Sequence, residues 1–404
     1  MSRPAVSTLL VCVAAVVLIR PAAVHAQSTD PERPTLRLGP VEFRPRLAFT
    51  NVGIDNNVFN ERTNPKRDFT FVATPDLEVS LHPGRLRVAY TTGTEFVYFK
   101  QYTSERSLNR NLGARVDLDL SFLKPFASFS SAQTSARANS EIDIRALHRP
   151  RNYAAGTKLK IASRTEMVFT AREARDVYAD GETFRGVDLA RNLDEKTRGY
   201  DATLNVALTP FTTAGVVVST EETRFDRSPL RNSDTLRILP TVTFSPLGLI
   251  TGTASVGYRR FNGLDPSLPD YRGLVSAGSI GILFVGRYKL DTTFTRDVRY
   301  SYEDVVPYYL VTGGRGTLAA QAFGMFELRV LGGRESMAYR GGVAAVPGTD
   351  RLTSYGGGVG RRIGDRARVL VDLEFLHRVS DRDPSREYRN HRVAASLTWG
   401  ALNR

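Results

Sequence analysis

Ala367-Arg368-Val369-Leu370-Val371-Asp372-Leu373-Glu374-Phe375 carries two patterns in alternate residues. Ala367, Val369, Val371, Leu373 and Phe375 fall in one phase, and Arg368, Asp372, Glu374 and, further on, Arg378 fall in the other. Alternation of period two places successive side chains on opposite faces of a β-strand. The same pattern recurs in Leu112, Ala114, Val116, Leu118 and Leu120 against Asn111, Arg115, Asp117 and Asp119. It recurs again in Tyr200, Ala202, Leu204, Val206 and Leu208 against Asp201, Thr203 and Asn205. Strands of soluble proteins average about 5–6 residues, and these runs are about twice that. A tilted strand of about 9–11 residues crosses a bilayer. The reading is a transmembrane β-barrel.

Outward from these runs, the whole chain scans as 18 candidate strands, from Phe43 to a last strand beginning near Glu387. The connections alternate in length. Short ones, such as His82-Pro83-Gly84, Pro210-Phe211, Val285-Gly286, Ala322-Phe323-Gly324 and Gly364-Asp365, hold the residues that tight turns need. Long ones cover 53–67, 100–107, 137–150, 179–196, 226–232, 262–270, 300–307, 340–350 and 381–386. Short periplasmic turns and long extracellular loops on an even-stranded antiparallel barrel are the outer-membrane arrangement. Two sets of rings fit two membrane boundaries. Tyr98, Tyr102, Tyr178, Tyr258, Phe261, Tyr271, Tyr300, Tyr302, Tyr308, Tyr309 and Tyr339 lie near the long loops. Phe122, Phe126, Phe211, Phe244, Phe284, Tyr288, Phe326 and Trp399 lie near the short turns. Together they predict two aromatic girdles.

The first residues predict export from the cytoplasm. Arg3, an apolar run from Ala5 to Ile19, Arg20 and then Val24-His25-Ala26 before Gln27 make a signal peptide cut after Ala26. The expected organisation is therefore a signal peptide at 1–26, a periplasmic segment at 27–42 and an outer-membrane barrel at 43–400. Cys12, the one cysteine, lies inside the signal peptide, which leaves no thiol for a disulfide or a metal in the mature chain. The formal charge of +13 falls to +11 when Arg3 and Arg20 are removed. That excess points to polyanions such as lipopolysaccharide or acidic glycans, rather than nucleic acid, or simply to arginines at the membrane rim and in solvated loops.

Few residues suggest reaction chemistry. His82 lies in a turn, His148 in a long loop beside Arg149 and Arg151, and His377 and His391 flank the last long loop, where they could face one another. Ser380 and Ser385 are near in sequence, yet nothing orients either as a nucleophile, and a metal would lack its third and fourth ligands. Asp55-Asn56-Asn57-Val58-Phe59 could hold calcium but lacks the spacing of a calcium loop, so an Asx turn is the favoured reading. Gly313-Gly314-Arg315-Gly316 and Gly356-Gly357-Gly358-Val359-Gly360 lack the lysine of a phosphate loop and read as places of curvature or close approach. No cofactor or metal is implied.

The polar phase carries the functional expectation. If apolar residues face lipid, the wall of the pore is lined by Arg85, Arg87, Arg115, Lys158, Lys160, Arg287, Lys289, Arg329 and Arg368, with Asp117, Asp119, Asp372 and Glu374 among them. Arg237, Glu78, Glu95, Asp201, Asp291 and Glu327 share that phase. Charges line water far more cheaply than lipid, and barrels of about 16–18 strands enclose a channel. Arg115, Lys158, Lys160, Arg287 and Lys289 would form a positive lining with a preference for anions. The competing reading is that cross-strand ion pairs merely brace the wall.

Asp55-Asn56-Asn57-Val58-Phe59, then Asp68-Phe69-Thr70-Phe71 and Pro75-Asp76-Leu77, resembles an outer-membrane β-barrel porin family found with bacterial exopolysaccharide assembly systems. The resemblance implies export of a secreted polysaccharide or similar polar solute, with an anionic polysaccharide and periplasmic export components as partners. It also implies a second strand interrupted at Pro75, and it carries over no binding residues. A general diffusion porin for small solutes and an outer-membrane hydrolase are the alternatives. At the C-terminus Arg404 stands where barrels commonly place an aromatic residue.

Overall fold

A long sheet has two edges of unpaired N–H and C=O groups, and here the two edges are joined to each other. In a computed structural model, which describes residues 36–400 except 267, 323–324, 342–346 and 365, 18 strands form one antiparallel ring. They are β1 (Val41–Asp55), β2 (Asp68–Leu81), β3 (Leu86–Phe99), β4 (Ser107–Leu118), β5 (Leu123–Gln133), β6 (Arg151–Ala162), β7 (Thr165–Asp176), β8 (Glu195–Thr209) and β9 (Thr212–Phe225). The ring continues with β10 (Ser233–Phe244), β11 (Ile250–Gly263), β12 (Tyr271–Phe284), β13 (Tyr288–Tyr300), β14 (Tyr308–Ala322), β15 (Phe326–Arg340), β16 (Gly348–Ile363), β17 (Ala367–Ser380) and β18 (Tyr388–Trp399). Each strand pairs with its neighbours in sequence, and β18 closes on β1 through Leu47 opposite Trp399, Phe49 opposite Leu397 and Ile54 opposite Val393. No helix among the described residues is long and apolar enough to cross a membrane.

The strands run from 11 to 16 residues, and each begins within three residues of the position read from the alternation. The predicted signal peptide, with Cys12, and Arg404 lie outside the described residues. Of the segment expected before the barrel, Leu36–Leu38 folds back on Val41–Phe43 as a short hairpin, so Val41 and Glu42 already belong to the first barrel strand.

Register fixes the faces. Leu112 and Val116 are 36% and 41% exposed on the outer wall. Arg115 and Asp117 are half-buried and bonded to each other on the inner wall. Leu120 is exposed as expected. Asp119 is not on the inner wall: β4 ends at Leu118, and Asp119 sits in the turn, where it pairs with Lys124 at 2.9 Å. The short turns have the expected geometry. Val285 and Gly286 both adopt positive φ, at 51° and 65°, in the three-residue turn between Phe284 and Tyr288, as tight hairpin connections require. Pro75 does not end β2, but the ladder to β3 skips from Ala73–Phe96 to Asp76–Gly93 around it.

One expectation about the rings is corrected. At the turn side Phe122, Phe211, Phe284 and Trp399 are exposed on the outer wall, as a girdle should be. Phe126 is the exception, buried inward beneath Arg115. At the loop side Tyr178, Phe261, Tyr302, Tyr308, Tyr309 and Tyr339 are buried, packed against loops and one another instead of facing lipid. Trp399 and Tyr300 lie at opposite ends of the barrel, beside a short turn and a long loop respectively.

The two faces can be told apart chemically. In the membrane-inserted protein, Val116→Cys should react with a lipid-soluble thiol reagent and Asp117→Cys with a water-soluble one. Equal reactivity of both, or the reverse pattern, would show that the register is wrong.

Candidate functional site

The interior is lined by charge, and most of that charge is paired. On one wall Arg172 of β7 bonds Asp201 at 2.9 Å and Glu221 at 2.5 Å. Glu221 also takes Arg237 at 2.8 Å, and Arg259 continues the chain to Asp297 at 2.6 Å. On the other wall Arg329 grips Asp372 through two bonds of 2.7 and 2.5 Å, Arg368 pairs with Glu327, and Arg315 lies 3.5 Å from Glu374. Several of these pairs skip a strand. Arg329 and Asp372 both stand opposite Gly358, where an added Cβ would lie 2.1 Å from the Asp372 carboxylate. Gly199 leaves the same gap beneath Arg172. These glycines make room for a side-chain bridge across the face of the sheet.

The residues expected to line the pore divide into three groups. Arg87 stands opposite Asp117, Arg115 is bonded to Asp117, Lys289 lies 3.4 Å from Asp291, and Arg329, Arg368, Asp372 and Glu374 belong to the pairs above. Arg85, Asp119 and Arg287 sit in short turns rather than on strand faces. Lys158 stands opposite Lys124, Lys160 stands opposite Glu166, and neither Lys158 nor Lys160 makes an ion pair within 4 Å among the described residues. The continuous positive lining expected from five cations is thus reduced to a lysine pair on β6. Like charges directly opposed across strands are unfavourable; Lys124 is offset by its pair with Asp119, whereas Lys158 lacks the compensation found elsewhere.

Exposure falls along the barrel. Lys289 and Asp291, near the turns, are 44% and 52% exposed, whereas Arg378 and Asp350, near the loops, are 1% and 0% exposed. The cause is the connection 134–150 between β5 and β6. It crosses to β17, six strands away round the shorter side of the ring. Arg378 donates to Ser140 O at 2.8 Å, to Asp143 at 2.7 Å and to Asp350 at 2.5 Å. Arg386 donates to Glu141 O at 3.1 Å and lies 3.2 Å from Asp350, to which Ser380 also donates. Ile142 and Ala146 pack with Tyr178, Phe184, Leu189 and Ala190 of the next long connection, and with Tyr302. The loop side therefore holds a small core of its own.

Glu141 is wholly buried in this closure. Ser301 donates to one of its oxygens at 2.6 Å, and the other has no hydrogen-bond partner among the described residues. Burial pushes its carboxyl up to about 7, against the opposing pull of Arg386 and Arg378. Arg378 was visible in the polar phase of β17. Glu141, Asp143, Asp350 and Arg386 were not singled out, and the nearest signal was Glu141-Ile142-Asp143-Ile144, an alternating run inside a loop.

Among the described residues no histidine is hydrogen-bonded to a serine hydroxyl. His148 bonds Asp176 at 3.0 Å and stacks on Tyr178. His377 stands opposite Arg389 and His391 opposite Phe375, so the two are offset rather than facing. The hydroxyls of Ser380 and Ser385 donate to Asp350 and Asp383, not to a histidine. The Asp55–Phe59 stretch forms the Asx turn, with Asn57 N donating to Asp55 at 3.0 Å. Asn390 and Arg392 satisfy the rest of that carboxylate.

A sequence profile described as "Putative beta-barrel porin 2" matches residues 36–282, more than half of the chain. No curated protein matches the sequence. Among solved structures, OccK2 (OpdF) of Pseudomonas aeruginosa, in complex with glucuronate, is 9% identical with a TM-score of 0.52, over 89% of this chain and 98% of its own. A BenF-like porin from Pseudomonas fluorescens Pf-5 gives 10% identity and a TM-score of 0.48, over 89% and 98%. The FrpB iron transporter of Neisseria meningitidis gives 11% and 0.46, over 87% of this chain, which spans 64% of the FrpB length. At such identity the likeness to OccK2 concerns the fold alone.

Two outcomes are expected at the closure. Arg378→Ala removes one of the two arginines on the buried Asp350 and the ion-pair partner of the half-buried Asp143, a loss of at most about 3–5 kcal/mol, the range for a broken buried ion pair. Tryptic cleavage at Arg137 or Arg145 should rise sharply while the barrel still resists unfolding in detergent; unchanged cleavage would deny Arg378 its role. For Glu141 the carboxyl is raised in the closed state, so its contribution to closure is full below its ordinary value of 4.5 and is lost as pH rises through about 7. Hydrogen exchange in 134–150, corrected for intrinsic rate, should therefore accelerate from pH 5 to 8, and Glu141→Gln should flatten that dependence.

Proposed function

The chain belongs to this family of β-barrel porins and lies in the outer membrane, and from that premise we propose that it is a passive channel for small polar solutes. The observation that carries the proposal is the gradient of the interior. The wall is charged and open near the turns, and the loop closure narrows the entrance at the other end. Such a wall hydrates a polar solute without gripping it, because arginine and carboxylate already satisfy one another. The closure sets an upper limit on size. Export of a polysaccharide is the weaker reading, since a polymer would have to displace the 134–150 connection from Arg378 and Arg386. The residues that suggested it are occupied by an Asx turn. A hydrolase has no histidine–serine contact among the described residues to support it.

Selectivity rests on the uncompensated lysines. Lys158 and Lys160 should give a modest preference for anions, weakened by salt because exposed charges are screened within about 8 Å at physiological ionic strength. The purified protein in a planar bilayer should conduct, and its reversal potential across a potassium chloride gradient should indicate anion preference. Replacing both lysines by glutamine should move that potential towards zero. Absence of conductance would remove the channel proposal, whereas cation preference in the unaltered protein would remove only the role of the lysines.

A further inference from the structure

The outer wall is charged differently on its two sides. On the loop-side half of β7–β10 the outward charges neutralise each other: Lys196 and Arg198 lie 2.9 and 3.1 Å from Glu173, Arg224 lies 2.8 Å from Asp234, and Arg175 lies 2.9 Å from Asp226. The outer wall of β13–β18 has no such balance. One register row there runs Phe294, Gly314, Arg334, Thr353, His377 and Arg389, each directly opposite the next. Arg334 and Arg389 are exposed and make no ion pair among the described residues. Nearby Arg296 is bonded, among the described residues, to Leu274 O and the Thr312 hydroxyl. Of the arginines at this level, Arg351 does have a carboxylate, Asp381 at 2.9 Å.

The rows below this one change character in order. Two residues down, Tyr355 stacks on Phe375 at 5.1 Å beside His391. Two further down, Val330, Leu373 and Val393 are bare apolar wall. Arg334 lies eight residues along β15 from Phe326, so at about 3.3 Å per residue and a tilt of about 40° it stands about 20 Å above the turn-side end. The apolar band of such barrels is about 25 Å tall. Arg389 lies ten residues along β18 from Trp399 and by the same measure stands about 25 Å up. Both guanidinium groups therefore reach the headgroup level of the loop-side leaflet, where an anion from outside the chain can pair with them. Guanidinium prefers phosphate, which it can hold with two parallel bonds.

We propose that the outer wall of β13–β18 binds lipopolysaccharide, the phosphorylated lipid of the outer leaflet. Arg334 and Arg389 hold its headgroup phosphates, and the Tyr355–Phe375 pair supports the acyl chains beneath. Arg334 and Arg389 are three strand spacings apart, about 14 Å, so each engages its own phosphate and a diphosphorylated headgroup suits them best. The mixed-sign wall of β7–β10 offers no equivalent.

The experiment titrates the folded protein in neutral detergent with fluorescent diphosphoryl lipid A. Arg334→Gln with Arg389→Gln should weaken binding at least tenfold, and the corresponding lysine pair should recover most of it. Arg198→Gln with Arg224→Gln, on the self-paired wall, should leave affinity unchanged. The heat-dependent gel shift of a folded barrel confirms that each variant is folded. Equal affinity of the double glutamine variant, or equal binding of phosphatidylcholine, would overturn the proposal. So would a change in oligomer size with lipid A affinity intact, since the face would then serve a second copy of the chain.

Discussion

Everything in this structure depends on the absence of water as a hydrogen-bond partner along the wall. A lipid-facing strand must find every backbone partner on another strand, which only a closed ring provides. The Leu47–Trp399 seam completes that ring. Once it is closed, a period-two sequence has only one acceptable phase, since a slip of one residue would send Arg115 and Asp117 into lipid and Val116 into the lumen. The length of the strands, their even number and the inward charges all follow from this one condition.

Charge is then managed in three different ways. Within the lumen, arginines are matched to carboxylates, and glycines such as Gly358 open a path for the pairs across an intervening strand. At the loop side a few arginines serve as fasteners: Arg378 and Arg386 bind the crossing connection by backbone carbonyls as well as carboxylates. On the outer wall of β13–β18 Arg334 and Arg389 are exposed and make no ion pair among the described residues. The basic balance of the chain is therefore not a uniform positive lining. It is distributed over turns, rims and one outward face.

The barrel was legible in the sequence because alternation is local: strand faces and starts follow from neighbours two residues apart. The ends of strands were less legible. Asp119 continues the polar phase of β4, but the strand stops one residue earlier, and Arg85 and Arg287 likewise fall in turns. The closure was hardly legible at all. Arg378 meets Asp143 across 235 residues, and no periodicity encodes such a pair. Tyrosines near strand ends look alike in sequence whether they float at the lipid boundary or, like Tyr309 and Tyr339, pack beneath a loop. The Asp55–Phe59 motif forms the turn expected of it, and among the described residues its side chains are engaged in that turn and its neighbours.

The central claim is that a charged, hydrated interior passes small polar solutes and that the loop closure sets their size. Swelling of liposomes containing the protein, measured with a graded series from monosaccharides to long oligosaccharides, tests it most directly. The account predicts fast swelling with the smallest sugars and a steep fall as chain length grows. No swelling with any solute, or entry of long chains as fast as single sugars, would contradict it.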